Sequence, residues 1–414
     1  MPSWRTGLAR TALGLTASGA LAQALPLLLG PWLTRLFSPA QFGQFTVFAT
    51  AAASIGVVAC ARYEFALPMV AGEADARDLM ALCLRILVVV TLITTLPAVL
   101  LWAAGQGSFW LLLPAFVMSY GASQWLTLWA TRAERFRGLS AARVTQYGGA
   151  AVLQAAGGMF QGGVWALILG PVAASTSAAL LWLRHPQPLG GWVGLWRVPR
   201  QQWLGVARRY RDFPMLNTPH AFLGTLQDTL SVFIIIAATG EASAGFWGLA
   251  LRYVKAPASI VGFAVSQALY PRLSRLEGEE ARSALREVMS GLGLAAIGLV
   301  VVLFAAGPTL FAWIFGERWR AAGELARALS PYVGVHFVAS PLAVTTMAWG
   351  QQRWALRMAL FGQAAFLCAL AGGLLVGGLL GGAWAVSAVT VVYFCWYFVS
   401  LDRRVPTASA VAAI

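Results

Sequence analysis

The sequence predicts an all-α, polytopic membrane protein with about twelve transmembrane helices, and three observations carry that prediction. Hydrophobic residues make up 59% of the 414 residues and charged residues only 11%, with a mean hydropathy of +0.71, outside the balance of ordinary soluble domains. Apolar runs long enough to cross a hydrocarbon core of about 30 Å recur along the chain. Basic residues gather in every second gap between those runs, as expected when successive loops lie on alternate sides of a bilayer.

In chain order the predicted spans are 11–33, 42–62, 79–103, 109–131, 144–160, 164–184, 214–238, 244–270, 287–307, 325–349, 354–377 and 381–401. Lipid offers no partners to the backbone, so each span must satisfy its own hydrogen bonds as a helix. A transmembrane barrel would need short alternating segments, and Leu292–Ala306 does not alternate. Arg5 and Arg10 precede a first run containing Ala20-Leu21-Ala22, which resembles a cleavage site. The run continues to Leu33, however, and its loss would leave an odd number of spans, so it is read as an uncleaved first helix.

The basic residues orient the spans. Of the 29 Lys and Arg, 22 fall on one side, including the groups from Arg132 to Arg143, from Arg184 to Arg211 and from Arg272 to Arg286. The opposite side holds Arg35, Arg318, Arg320 and Arg327. Cytoplasmic N and C termini are therefore expected. The net charge of +14 then reflects topology and contact with anionic membrane lipids, with no nucleic-acid partner expected.

A weak internal repeat divides the chain. Gly43-Gln-Phe through Ser54-Ile-Gly to Leu67-Pro68 parallels Gly245-Phe-Trp through Ser259-Ile-Val-Gly to Tyr270-Pro271. An even number of spans separates the copies, so the halves share an orientation, as in a parallel repeat. The expected organisation is a six-helix bundle over 1–184, a cytoplasmic amphipathic linker over 185–207 and a second six-helix bundle over 208–414. Around the linker, Trp203, Val206, Ala207 and Tyr210 share a helical face while Arg200, Arg208, Arg209 and Arg211 surround the others. On the outer side, Phe311–Trp319 reads as a second surface-lying segment within the one sizeable outer loop, 308–324. Paired glycines at 372–373, 377–378 and 381–382 suggest close helix packing or a turn.

Catalytic and metal chemistry find little support. Cys60, Cys83, Cys368 and Cys395 lie in or at the ends of spans without paired spacing, and His185, His220 and His336 belong to no recognisable ligand motif. No cofactor or metal is expected, and the protein is not read as an enzyme. The informative residues are charges stranded inside spans. Asp228 lies about ten residues before the outer end of the seventh span, and Arg252 and Lys255 about as far into the eighth, so all three sit roughly 12–17 Å below the outer surface. A charge in hydrocarbon costs several kcal/mol, so such groups face a watery cavity or a partner. Asp228 and Arg252 could form an ion pair locking two helices, which would still leave Lys255 to favour an anionic ligand. Arg85 in the third span could add a second positive point or snorkel to the interface. Arg62 and Glu64 read as a local interfacial pair, and Gln23, Gln124 beside Trp125, and Gln227 could meet sugar hydroxyls and rings.

At this point the motifs carry a resemblance. Leu33-Thr-Arg35-Leu-Phe37-Ser-Pro39-Ala-Gln-Phe42-Gly43 followed by Arg62-Tyr63-Glu64-Phe65-Ala66-Leu67-Pro68 resembles the opening of the polysaccharide/O-antigen flippase family. Glu134–Ser140, Tyr210–Pro214, Ala244–Tyr253, Val265–Arg272 and Phe315–Gly323 continue it in order through the tenth span. The family belongs to a superfamily that also holds multidrug exporters and the peptidoglycan-precursor flippase. The resemblance implies two bundles of six helices opening alternately to each side of the bacterial inner membrane. Its substrate would be an oligosaccharide linked by pyrophosphate to a polyprenol, such as an O-antigen or exopolysaccharide repeat unit. Partners would be that lipid-linked substrate, membrane lipids and the polysaccharide assembly machinery. A cation-coupled drug or metabolite exporter of the same superfamily is the main alternative, although Asp228 is nearly the only deep acid. A membrane glycan polymerase or transferase is another, although it would want large outer loops or acidic pairs.

Overall fold

The computed structural model describes residues 24–183 and 191–405, and among the described residues it contains fifteen α-helices and no strand. Seven helical stretches among them are long and apolar enough to cross a membrane. The chain is an all-helical, multi-pass membrane protein. Contacts divide it into two compact units, Met1–Thr229 and Leu230–Ile414.

In the first unit, α1 (Gly30–Leu36) is followed by α2 (Pro39–Gly56), α3 (Glu73–Ala103), α4 (Leu113–Arg132) and α5 (Phe136–Arg143). A π-turn (Val144–Gly148) leads into α6 (Gly149–Met159), then α7 (Gly163–Leu183). The start of α2 shows how the segment Ser38-Pro39-Ala-Gln41 does local work. Ser38 Oγ accepts from the Gln41 N–H at 3.3 Å while the Ser38 N–H donates to Gln41 Oε1 at 2.9 Å. This reciprocal cap satisfies two N–H groups, and Pro39 occupies the first turn where its missing N–H costs nothing. The core behind it is aromatic, with Phe48 packed against Phe109, Trp110 and Phe116 at ring distances of 5.8–6.4 Å.

The linker forms α8 (Gly191–Trp196) and α9 (Arg200–Arg209). Val206 is buried and Trp203, Ala207 and Tyr210 half-buried, while Arg200, Arg208 and Arg209 are exposed, which is the face expected from the spacing. A second π-turn (Phe213–Asn217) opens into α10 (Thr218–Thr239), within which the boundary between the two units falls.

The second unit continues through α11 (Glu241–Val254), α12 (Ala256–Leu273), α13 (Gly278–Phe315), α14 (Arg320–Ala348) and α15 (Gln352–Asp402). The predicted span 244–270 is broken at Lys255, because Pro257 lacks the N–H that would continue the helical ladder to the Tyr253 carbonyl. The expected outer loop at 308–324 is a correction. The α13 helix runs straight through Pro308 to Phe315, and only a 3-10 turn (Glu317–Trp319) separates it from α14. Phe311, Phe315 and Trp319 are buried while Trp313 between them is exposed, with the Phe315 ring 4.6 Å from that of Tyr253. Glycine allows this: a Cβ on Gly323 would meet Pro308 Cα at 2.5 Å and the Gly307 carbonyl at 2.6 Å.

The last two predicted spans both lie in α15, which turns at Gly377 and Gly378. Gly378 takes φ +59°, a left-handed value suited to glycine. On either side of the turn the backbones of Gly373 and Gly381 touch, since a Cβ on either would sit 2.5 Å from the other's carbonyl oxygen. The paired glycines thus provide both the packing and the turn. At the base of this hairpin Arg286 donates to both carboxylate oxygens of Asp402, at 3.0 and 2.8 Å, and ties α13 to the end of α15.

Candidate substrate-binding site

Arg252 and Lys255 lie where α11 gives way to α12. Lys255 is the C-cap of α11, its N–H donating to the Leu251 carbonyl at 3.0 Å, so its side chain leaves the chain at the break itself. Both residues are half-buried. Lys255 Nζ stands 5.5 Å from the centroid of the Tyr332 ring, within cation–π range. Tyr332 in turn packs on His336 at 5.6 Å and on Phe366 at 5.6 Å. Phe366 meets Trp247 on α11, and His336 meets Phe394 on α15. The second unit therefore sets the Lys255 ammonium against a row of rings, with Arg252 one turn earlier on the same helix. An ammonium and a guanidinium can donate to phosphate oxygens, and aromatic faces suit the CH groups of sugar rings.

The sequence did not point to Tyr332 and His336 as part of this site. The available signal was their spacing of four on α14, which puts them on one helical face, together with Pro257, which marks the break at Lys255.

The other expected residues lie in the first unit. Asp228 is exposed and Gln227 half-buried on α10. Beside them Thr229 is buried and shares a 2.8 Å hydrogen bond with Ser54 of α2. On α4, Gln124 is half-buried and hydrogen-bonded to Tyr120, and Trp125 is buried in the core. Gln23 lies outside the described residues.

Arg85 is engaged elsewhere. Its guanidinium donates to the carbonyls of Ala81, Leu195, Trp196 and Val198 at 2.9–3.2 Å. It also stands 5.6 Å from the Trp196 ring and 5.5 Å from that of Trp203. The carbonyls that end α8 have no helical partners, so a cation placed there satisfies several at once. Through these carbonyls Arg85 ties the linker to α3.

The sequence pattern of the family described as polysaccharide biosynthesis protein matches residues 80–324, more than half of the chain. No curated protein matches the sequence. Among solved structures, the chain is similar to the lipid II flippase MurJ in an inward closed conformation, with a TM-score of 0.69 and 10% identity over 94% of this chain and 90% of that one. It is also similar to an inward-facing multidrug resistance MATE family transporter of the MOP superfamily, with a TM-score of 0.63 and 13% identity over 92% and 96% of the two chains. A MOP superfamily transporter from Pyrococcus furiosus, described as having a binding pocket of reverse polarity, matches with a TM-score of 0.56 and 13% identity over 96% and 94%. These likenesses establish the fold, and the sequence pattern establishes the kinship: this chain belongs to the polysaccharide biosynthesis protein family.

Proposed function

We propose that the protein carries a polyprenyl-pyrophosphate-linked oligosaccharide from the cytoplasmic to the periplasmic leaflet of the bacterial inner membrane by alternating access, with both termini in the cytoplasm. The observation that carries this reading is Lys255 at the helix break, its ammonium 5.5 Å from the Tyr332 ring, with Arg252 in the turn before it. Keeping two cations within an apolar span costs several kcal/mol, and an anionic ligand offsets that cost. The pyrophosphate is such a ligand, the glycan suits the aromatic wall, and the polyprenol tail can remain in lipid throughout. Membership of a polysaccharide biosynthesis family supports the glycan, and a solved protein of this fold is a lipid II flippase. Lys255 is the only lysine in the chain, and its compact ammonium suits a phosphate oxygen as a point charge.

The test is the double replacement Arg252→Gln with Lys255→Gln, assayed as surface glycan in cells with membrane levels matched. Losing two charge-assisted contacts of about 2 kcal/mol each predicts a fall of about a hundredfold or more in export. Undiminished glycan export in the double variant would refute the site. Intact glycan with altered tolerance of cationic drugs would instead favour the exporter reading.

A further inference from the structure

Where α12 turns into α13, the second unit holds a cavity of about 680 Å³. Small side chains leave the space. Ala268 lines it from α12 and Ser283 with Ala284 from α13, and Gly278 lets the chain reverse between them at a left-handed φ of +55°. The two helices end stretches long and apolar enough to cross a membrane, Glu241–Leu273 and Gly278–Phe315. Ala268 lies five residues before the end of α12, about 8 Å along its axis. The cavity therefore runs from the level of lipid head groups to the edge of the hydrocarbon, whichever face of the membrane the turn occupies.

Three charged side chains line it: Arg272, Arg275 and Glu280. Arg272 donates to Glu287 at 3.1 Å, so that pair is balanced. The neighbouring charges on α13 are also taken up, Glu279 by Arg282, and Arg282 and Arg286 by Asp402 at the end of α15. Among the described residues, Arg275 and Glu280 pair neither with each other nor with a third group. The cavity thus offers one free guanidinium, one free carboxylate and the Ser283 hydroxyl.

That combination selects a ligand. A phosphate diester alone would be drawn to Arg275 and repelled by Glu280, and an ammonium alone would meet the reverse. A group that carries both charges, the amine two carbons beyond the phosphate, is attracted by each. To donate to the carboxylate its nitrogen must bear hydrogens, which favours a primary ammonium over a quaternary one. The wall beyond the cavity suits a lipid tail. From Ala284 the positions Glu287, Gly291, Leu294, Gly298 and Val301 follow at steps of three and four, along one face of α13. Leu294 and Val301 are exposed, and a Cβ on Gly291 or Gly298 would meet nothing within 4 Å. An acyl chain can lie along that open face while its head group fills the cavity.

We propose that this cavity binds the head group of a phospholipid of the phosphatidylethanolamine type, its phosphate on Arg275 and its ammonium on Glu280. The lipid is a resident ligand, distinct from the transported substrate, and the inference does not rest on the function proposed above. By bridging the ends of α12 and α13 it stabilises the second unit as its occupancy rises.

The test uses the full-length protein, delipidated in detergent. Phosphatidylethanolamine, phosphatidylglycerol and phosphatidylcholine of one chain length are added separately, and bound lipid is counted by native mass spectrometry. Wild type should bind phosphatidylethanolamine about fivefold more tightly than either of the others, the worth of one exposed charge pair. Arg275→Gln should lose that preference. Glu280→Gln should turn it toward phosphatidylglycerol, because Arg275 is then unopposed and selects the anionic lipid. A wild type that binds the three lipids alike, or prefers phosphatidylglycerol, overturns the proposal. So does a preference that survives both substitutions, which would place the lipid elsewhere. A second readout needs no variant: phosphatidylethanolamine with a photoreactive group at the start of its acyl chain should label the segment 268–287 of wild type, and labelling spread evenly over the helices overturns the site. A short-chain prenyl pyrophosphate should leave the bound lipid in place; its displacement would assign the cavity to the substrate and overturn the lipid reading.

Discussion

Lys255 Nζ lies over the Tyr332 ring at 5.5 Å, so the ring both attracts the ammonium and limits the directions it can take. A cation–π contact of this kind contributes about 1–2 kcal/mol when partly shielded from water. The prediction at this scale separates ring from hydroxyl. Tyr332→Phe keeps the face and should export glycan at near wild-type rates, while Tyr332→Leu should lose about tenfold, a loss of about 1.4 kcal/mol. Equal activity of the two variants would show that the ring does not position Lys255. Single residues differ in how well sequence exposes them. Arg252 and Lys255 stand out because charge inside an apolar run is costly wherever it points. Tyr332 does not, since an aromatic residue in a span serves equally as core, lipid contact or interface. Glu64 was read as an interfacial residue because it lies just past a span, and only the folded turn buries it.

Among the elements, the linker helices owe their position to a residue that looked like part of a cavity. The spacing of Trp203, Val206, Ala207 and Tyr210 was enough to assign the inward face of α9, because a period of 3.6 is local information. The role of Arg85 was not legible, because its partners are backbone carbonyls more than a hundred residues away and carbonyls have no sequence identity. Bonds from a charged donor to carbonyls contribute about 1.5–3 kcal/mol, and Asp75 with Arg209 adds an exposed pair of smaller worth. Arg85→Ala should therefore loosen α8 and α9 by about 3 kcal/mol. Trypsin added to inside-out vesicles should then cut faster after the exposed Arg197 and Arg200, and Arg85→Lys should fall between variant and wild type. Identical cleavage rates in all three proteins would mean that the linker is held by its apolar face alone. The misread segment at 308–324 has a related cause: it was read as the loop between two apolar spans, yet Gly307 and Gly323 let two backbones approach closely enough for α13 to continue.

For the molecule as a whole, the pattern of basic residues makes the strongest claim that the fold itself does not test. Helix positions follow from apolar length; the first predicted span lies mostly outside the described residues and the eighth is broken at Lys255, but a helical chain can in principle be threaded through a bilayer in either sense. The bias of 22 basic residues against 4 predicts the sense, because Lys and Arg near the ends of spans favour the cytoplasmic side. Two exposed arginines sample the opposite ends of the second unit: Arg275 between α12 and α13, and Arg318 in the turn between α13 and α14. Cys60 and Cys83 are buried, so replacing the exposed Cys368 and Cys395 by Ala gives a quiet background for labelling. In that background Arg318→Cys should react with a membrane-impermeant maleimide in intact spheroplasts, whereas Arg275→Cys should react only after the membrane is opened. The reverse pattern would invert the protein in the membrane and with it the direction of transport proposed above.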